Sequence, residues 1–85
     1  MLNIRFTDRA RKQFEAIKDA KLKNRLLAIF EHLAENPYAG KPLAGEFKGQ
    51  WSCKTFSYRI IYHILKRELM IVILKIQHRR DVYRF

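Results

Sequence analysis

Residues 50–76 read QWSCKTFSYRIIYHILKRELMIVILKI, and the fold turns on how this stretch is divided. It is rich in β-branched and aromatic residues, which predicts three strands joined by tight turns: Gln50 to Thr55, Tyr58 to Leu65 and Leu69 to Ile76. Side chains alternate along a strand, so the faces can be assigned. With Phe56-Ser57 at the tip of the first hairpin, Cys53 faces Ile60 and Trp51 faces Tyr62. That apolar set is expected under the helices, and Ser52, Lys54, Arg59, Ile61 and His63 on the opposite side. Lys54 then stands directly across from Arg59. Like charges so placed weaken a sheet. An anion bound between them removes the penalty; two splayed, solvated cations are the plainer alternative. In the third of these strands Met70, Val72 and Leu74 point one way and Leu69, Ile71 and Ile73 the other. Both sets are apolar, so some apolar surface is expected away from the helices, covered by the tail, a second copy or a protein partner.

Upstream, Leu2, Ile4 and Phe6 alternate with Asn3 and Arg5, as in a first strand. Thr7 is placed to cap a helix with Asp8 in its first turn. Ala10, Phe14 and Ile17 fall on one face of that helix. A second helix carries Leu22, Leu26, Ile29, Phe30 and Leu33, and stops near Asn36-Pro37 because the residue before proline avoids the helical region. The short link around Asp19 and Ala20 makes the two helices antiparallel. Tyr38 to Gly49, with Gly40, Pro42, Gly45 and Gly49, reads as a loop carrying Lys41 and Lys48. The order β-α-α-β-β-β predicts one α+β domain over residues 1–85, with two antiparallel helices packed on one face of a small antiparallel sheet.

The 85 residues allow one modest core, and a composition 48% hydrophobic and 13% aromatic can build it. Eighteen Lys and Arg stand against 8 Asp and Glu, a net charge of +10. Such an excess repels itself in the compact state, and a polyanion relieves it; nucleic acid is the usual one. Cys53 is the sole cysteine, which excludes an internal disulfide and fits a reducing compartment. Met1 to Phe6 lacks the pattern of a signal peptide, and the longest apolar run, Leu69 to Leu74, is too short to span a bilayer. A cytoplasmic protein without a membrane partner is expected. The three histidines and one cysteine show no metal-ligand spacing, and no Gly-rich phosphate loop is present, so neither metal nor cofactor is expected. The closing stretch Gln77, His78, Arg79, Arg80, Asp81, Val82, Tyr83, Arg84 is dense in groups suited to phosphate or base contact. Arg80 and Arg84 join Lys41 and Lys48 as candidate nucleic-acid-binding cations, and a solvated basic tail is the plainer alternative.

Four pieces together resemble the RelE/ParE toxin superfamily: Asn36-Pro37, Gly40-Lys41-Pro42-Leu43, Tyr58-Arg59-Ile60-Ile61-Tyr62 and His78-Arg79-Arg80-Asp81-Val82-Tyr83. The match runs in the expected order over nearly the whole chain. The resemblance implies a toxin of a type II toxin–antitoxin system, neutralised by a co-expressed cognate antitoxin. RelE-like members enter the ribosomal A site, cut mRNA and so inhibit translation. ParE-like members poison DNA gyrase on the same fold, so fold alone does not decide between them. On the RelE side, Lys54, Arg59, Arg79 and Tyr83 match the cleavage residues. The first of two strand lysines is missing, with Ser52 in its place, and His78 is a candidate substitute. The implied activity is a metal-independent endoribonuclease, an mRNA interferase working by 2′-hydroxyl attack. Arg59 and Arg79 offset the phosphorane charge, and Lys54 assists that charge or serves as base. His78 acts as acid or base, and Tyr83 stacks on a base or hydrogen-bonds near the scissile group. The alternative is a ParE-like gyrase inhibitor without RNase activity, favoured by the missing lysine; a non-catalytic nucleic-acid-binding module comes third.

Overall fold

The computed structural model describes residues 1–55 and 57–78. Its elements are β1 (Asn3–Phe6), α1 (Asp8–Glu15), α2 (Ala20–Glu35), a 3-10 turn Pro37–Ala39, β2 (Lys41–Pro42), a second 3-10 turn Gly45–Phe47, β3 (Gln50–Lys54), β4 (Tyr58–Leu65) and β5 (Met70–His78). The strands form one sheet in the order β1-β5-β4-β3-β2, and both helices pack on one of its faces. Each helix starts at a side-chain cap. The Thr7 hydroxyl accepts from the Ala10 N–H at 3.1 Å, and the Asp19 carboxylate accepts from Lys21 and Leu22 at 3.0 and 3.3 Å. The core joins Ala10 of α1 and Leu26, Phe30 and Leu33 of α2 to Ile60, Tyr62, Ile71, Ile73 and Ile76 of the sheet. Full burial of one such side chain stabilises by about 1.5–3 kcal/mol.

The sheet differs from the all-antiparallel one that the sequence predicts. β1 runs parallel to β5, with Ile4 beside Ile71 and Phe6 beside Ile73. Alternation in β1 reads the same in either direction, so the pattern could not reveal this. A second difference lies in the segment read as a loop, where Lys41 and Pro42 pair with Ser52 and Trp51 as an edge strand. Proline is tolerated there because an edge leaves one side of the strand without ladder bonds.

The deciding irregularity is in β5. Tyr62 pairs with Ile73 but Ile61 pairs with Lys75, so Leu74 is an extra, unpaired residue, a β-bulge. The bulge reverses the alternation. Ile71 and Ile73 before it and Ile76 after it all reach the core, while Lys75 and Gln77 turn to the other face. Helix α1 holds the bulge in place. The Thr7 hydroxyl donates to the Leu74 carbonyl at 2.7 Å, and the Thr7 N–H donates to the Ile73 carbonyl at 3.0 Å. Gln13 Oε1 accepts from the Ile76 N–H at 2.7 Å. Backbone groups that the ladder cannot satisfy here are met by α1 and its cap.

A second tie fixes the loop that follows α2. Tyr62 is fully buried, and its hydroxyl donates to the Pro37 carbonyl at 2.7 Å and accepts from the Gly40 N–H at 3.2 Å. Burial pushes the phenol above its ordinary range, which keeps the donor proton in place. A Cβ on Gly40 would come within 2.5 Å of that hydroxyl and 2.7 Å of the Ser52 carbonyl oxygen. Close approach, rather than an unusual φ, demands glycine here.

Two predictions concern these ties. Gly40→Ala should destabilise by about 1–3 kcal/mol through overpacking, and Tyr62→Phe by about 1–3 kcal/mol through the partners it strands. In a Tyr62→Phe background Gly40→Ala should still destabilise, because the Ser52 carbonyl contact remains; urea unfolding midpoints measure all three. Thr7→Val, which removes both the cap and the bond to Leu74, should cost about 1–2 kcal/mol in the same assay, with Thr7→Ser retaining most of the stability.

Candidate nucleic-acid interface

The five strands contain Arg5, Lys41, Lys54, Arg59 and Lys75 and no Asp or Glu. Register places all five cations on the face away from the helices. Ile60 and Tyr62 lie in the core, so their strand neighbours Arg59 and Ile61 point the other way. Side chains of paired residues share a face. Lys54 and Gln77 flank Arg59 in one row; Ser52 and Lys75 flank Ile61 in the next, with Lys41 beyond Ser52. A third row joins Gln50, His63, Val72 and Arg5.

The pairing of Lys54 with Arg59 is fixed by the hairpin itself. The Thr55 hydroxyl accepts from the Tyr58 N–H at 2.9 Å and donates to the Tyr58 carbonyl at 3.0 Å, while the Thr55 N–H reaches the same carbonyl at 2.7 Å. This sets two cations directly opposite, where Cα atoms lie about 4.5–5.5 Å apart. Both ion pairs among the described residues belong to Arg11 on α1, with Asp8 at 3.6 Å and Glu15 at 3.4 Å. No carboxylate among the described residues therefore neutralises the sheet cations. Lys54 is exposed and Arg59 half-buried, so a ligand on the face meets a charge in water beside a guanidinium partly withdrawn from it. Charge-assisted bonds to phosphate oxygens suit this arrangement.

The remaining sequence candidates fall in several places. Lys41 is exposed on β2, and Lys48 is exposed just after the second 3-10 turn. His78 pairs with Tyr58, which packs against the core, and the two rings meet edge-on at 5.0 Å and 83°. That register puts His78 on the helix side of the sheet, opposite to Arg59. Arg79, Arg80, Tyr83 and Arg84 lie outside the described residues. Cys53 points to the helix side, and burial pushes its thiol up, away from nucleophilic thiolate chemistry. Lys75 is the residue that sequence reading missed, and Gln77, noted there only as part of the closing stretch, had no face assigned to it. Strict alternation from Ile71 and Ile73 would send both toward the helices, and only the bulge sends them to the cationic face. Arg5 was legible as a polar strand residue, but its place in this face depends on the parallel pairing. No helix among the described residues is long and apolar enough to cross a membrane.

Comparison with known proteins agrees with this architecture. A family model described as the ParE toxin of the type II toxin–antitoxin system parDE matches residues 4–83. Toxin RelG of Mycobacterium tuberculosis is 37% identical over 87 residues, covering 95% of this chain and 94% of that protein. A chain of the RelBE2 toxin–antitoxin complex of M. tuberculosis superposes with a TM-score of 0.84 at 29% identity, covering 92% of this chain and 98% of that one. The isolated RelE toxin of E. coli has the same fold, with a TM-score of 0.78 at 18% identity and coverage of 98% and 92%. A model matched from the first strand to residue 83, and a relative aligned almost end to end, place this α+β chain with its one-sided cationic sheet in the RelE/ParE superfamily of type II toxins.

Proposed function

We propose that the chain is a metal-independent endoribonuclease that cuts mRNA, in the ribosomal A site, and so halts translation in the cytoplasm. The observation that carries this reading is the segregation of charge: five Lys and Arg on one sheet face, and no acid on any strand. In the reaction the 2′-oxygen attacks the adjacent phosphorus as its proton is removed. The bond from phosphorus to the 5′-oxygen breaks, that oxygen takes up a proton, and a 2′,3′-cyclic phosphate is left. Catalysis then consists of orienting the hydroxyl and offsetting the phosphorane charge. Arg59 forks onto the phosphate oxygens with Lys54 beside it, and Gln77, next in the row, is within the same face to hold a sugar or phosphate oxygen. Arg79 supplies a second fork and Tyr83 a stacking or hydrogen-bonding partner. Lys41, Lys48, Arg80 and Arg84 track the RNA backbone. His78 serves proton transfer only if RNA bends round the end of β5, because its register faces the helices.

One observation favours a second reading, a ParE-like inhibitor of DNA gyrase. Ser52 stands where the RelE resemblance calls for a lysine, and the family model is that of the ParE toxin. Inducing the protein and comparing mRNA 5′ ends with plasmid supercoiling in the same cells separates the two. New 5′ ends with unchanged supercoiling support the nuclease.

A cognate antitoxin is the third part of the proposal, as the RelBE2 relative was solved in a toxin–antitoxin complex. Phe6, Leu27 and Leu69 are 38%, 44% and 62% exposed, so apolar anchors on an acidic segment fit the surface.

Arg59→Ala should leave stability within about 1 kcal/mol and cut the cleavage rate roughly a hundredfold, the loss of about 3 kcal/mol of transition-state binding. Arg59→Lys should restore part of the rate. An Arg59→Ala protein that remains fully toxic would sink the nuclease assignment. The complex with the neighbour-encoded antitoxin should survive high salt on a sizing column, because apolar contacts are not screened, whereas RNA affinity should fall steeply as salt rises.

A further inference from the structure

The loop between β2 and β3 brings an aromatic ring onto the cationic face. Gly45 and Gly49, at φ 65° and 98°, adopt backbone conformations that L side chains resist, and they bracket Phe47. Phe47 is 45% exposed, and its ring centroid lies 5.8 Å from Lys75 Nζ. Lys75 pairs with Ile61 of β4, which pairs with Ser52 of β3. Phe47 therefore hangs over the sheet on its cation-bearing side. Ile61 and Ser52 are only 3% and 8% exposed there, although both helices lie on the other face. Phe47, beside the Lys75 that pairs with Ile61, is placed to cover part of that row. Such cover does not explain why nearly half of Phe47 is open to solvent, nor why the amine beside it is turned onto this face by a bulge.

We propose that Phe47 and Lys75 form a subsite for one nucleotide of single-stranded RNA, next to the nucleotide whose phosphate Lys54 and Arg59 hold. The base stacks on the ring and the phosphate meets the amine. This inference rests on reading the face as an RNA site. The Ile61–Lys75 row is two residues along the strand from the Arg59–Gln77 row, about 7 Å. One nucleotide of an extended single strand spans such a step. Stacking on an aromatic ring tolerates any base, so the subsite binds without selecting sequence.

The test is fluorescence anisotropy of the full chain with a 2′-O-methyl RNA oligonucleotide, which lacks the attacking hydroxyl and is bound without being cut. Affinity is measured across a salt series, with circular dichroism to establish that each variant is folded. Lys75→Met keeps an unbranched side chain against Phe47 and removes the charge. It should reduce the slope of log K against log salt by about 0.7, as expected for one phosphate contact on a single strand. Lys75→Arg should keep the slope. Phe47→Leu preserves that cover and removes the stacking surface, so it should weaken binding roughly tenfold at unchanged slope, while Phe47→Trp binds at least as tightly as wild type. Lys12→Met, on α1, controls for loss of general charge and should leave the slope unchanged. A wild-type slope in Lys75→Met with wild-type affinity in Phe47→Leu, alongside a reduced slope in Arg59→Ala, overturns the subsite and leaves the RNA reading of the face standing. Equal loss of slope in Lys75→Met and Lys12→Met also overturns it. A wild-type protein without salt-dependent RNA affinity overturns the RNA reading and the subsite together.

Discussion

The bulge at Leu74 and the hydrogen bonds that α1 directs at it are the constraint on which the rest depends. β5 lies between β1 and β4, with helices over one face. Without the extra residue, the positions that bury Ile71 and Ile73 would also bury Lys75 and Gln77, and Ile76 would be left on the cationic side. A buried, unpaired ammonium costs far more than a missing ladder bond. The bulge avoids that cost, and Thr7 and Gln13 offset most of what it loses in backbone pairing. One local irregularity thus completes the apolar core and loads the opposite face with charge.

The sheet is then divided by chemistry. Its helix side carries Ile60, Tyr62, Ile71, Ile73 and Ile76, and its other side carries every strand cation. Repulsion between Lys54 and Arg59, of a few tenths of a kcal/mol to about 1, is tolerable because hydrophobic burial across the other face is several times larger. The hairpin closed by Thr55 and the loop pinned by Tyr62 and Gly40 do not relieve the repulsion. The hairpin keeps Lys54 opposite Arg59 and the loop leads Lys41 into its place beside Ser52, and fixed cations of this kind are what binding an anion would require. Tyr62 serves both purposes, since its ring is core and its hydroxyl fixes the backbone that leads into Lys41.

Much of this was legible in the sequence because short-range rules governed it. The pairing of Lys54 with Arg59 followed from a two-residue hairpin tip and strict alternation, and the structure has that register. The cap at Thr7 and the stop before Pro37 followed from backbone chemistry. What escaped reading depended on contacts distant in the chain. Parallel pairing of β1 with β5 joins residues nearly 70 positions apart, for example Asn3 with Met70. The bulge is held by Thr7 and Gln13, which no periodicity in residues 69–78 reveals. The run MIVIL is apolar on both faces, so its own pattern could not show where the phase changes. The faces of Lys75 and His78 could not be assigned from the sequence for this one reason: the bulge sets them.

The bulge also bears on Ser52. Read alone, a serine at the position of the first strand lysine removes a charge from the face and weakens the case for a nuclease. Ser52 does not stand alone, however. Its row continues to Lys41 on one side and, through Ile61, to Lys75 on the other. β3 and β5 flank β4, each about 4.8 Å from it, and a lysine side chain is longer than that, so an amine carried on either one can lean over β4 between them. What electrostatic stabilisation requires is a cation near the phosphate rather than a particular strand to carry it. The row carries an amine on β5 where β3 has a serine, so the serine is weaker evidence for a gyrase inhibitor than its position suggests.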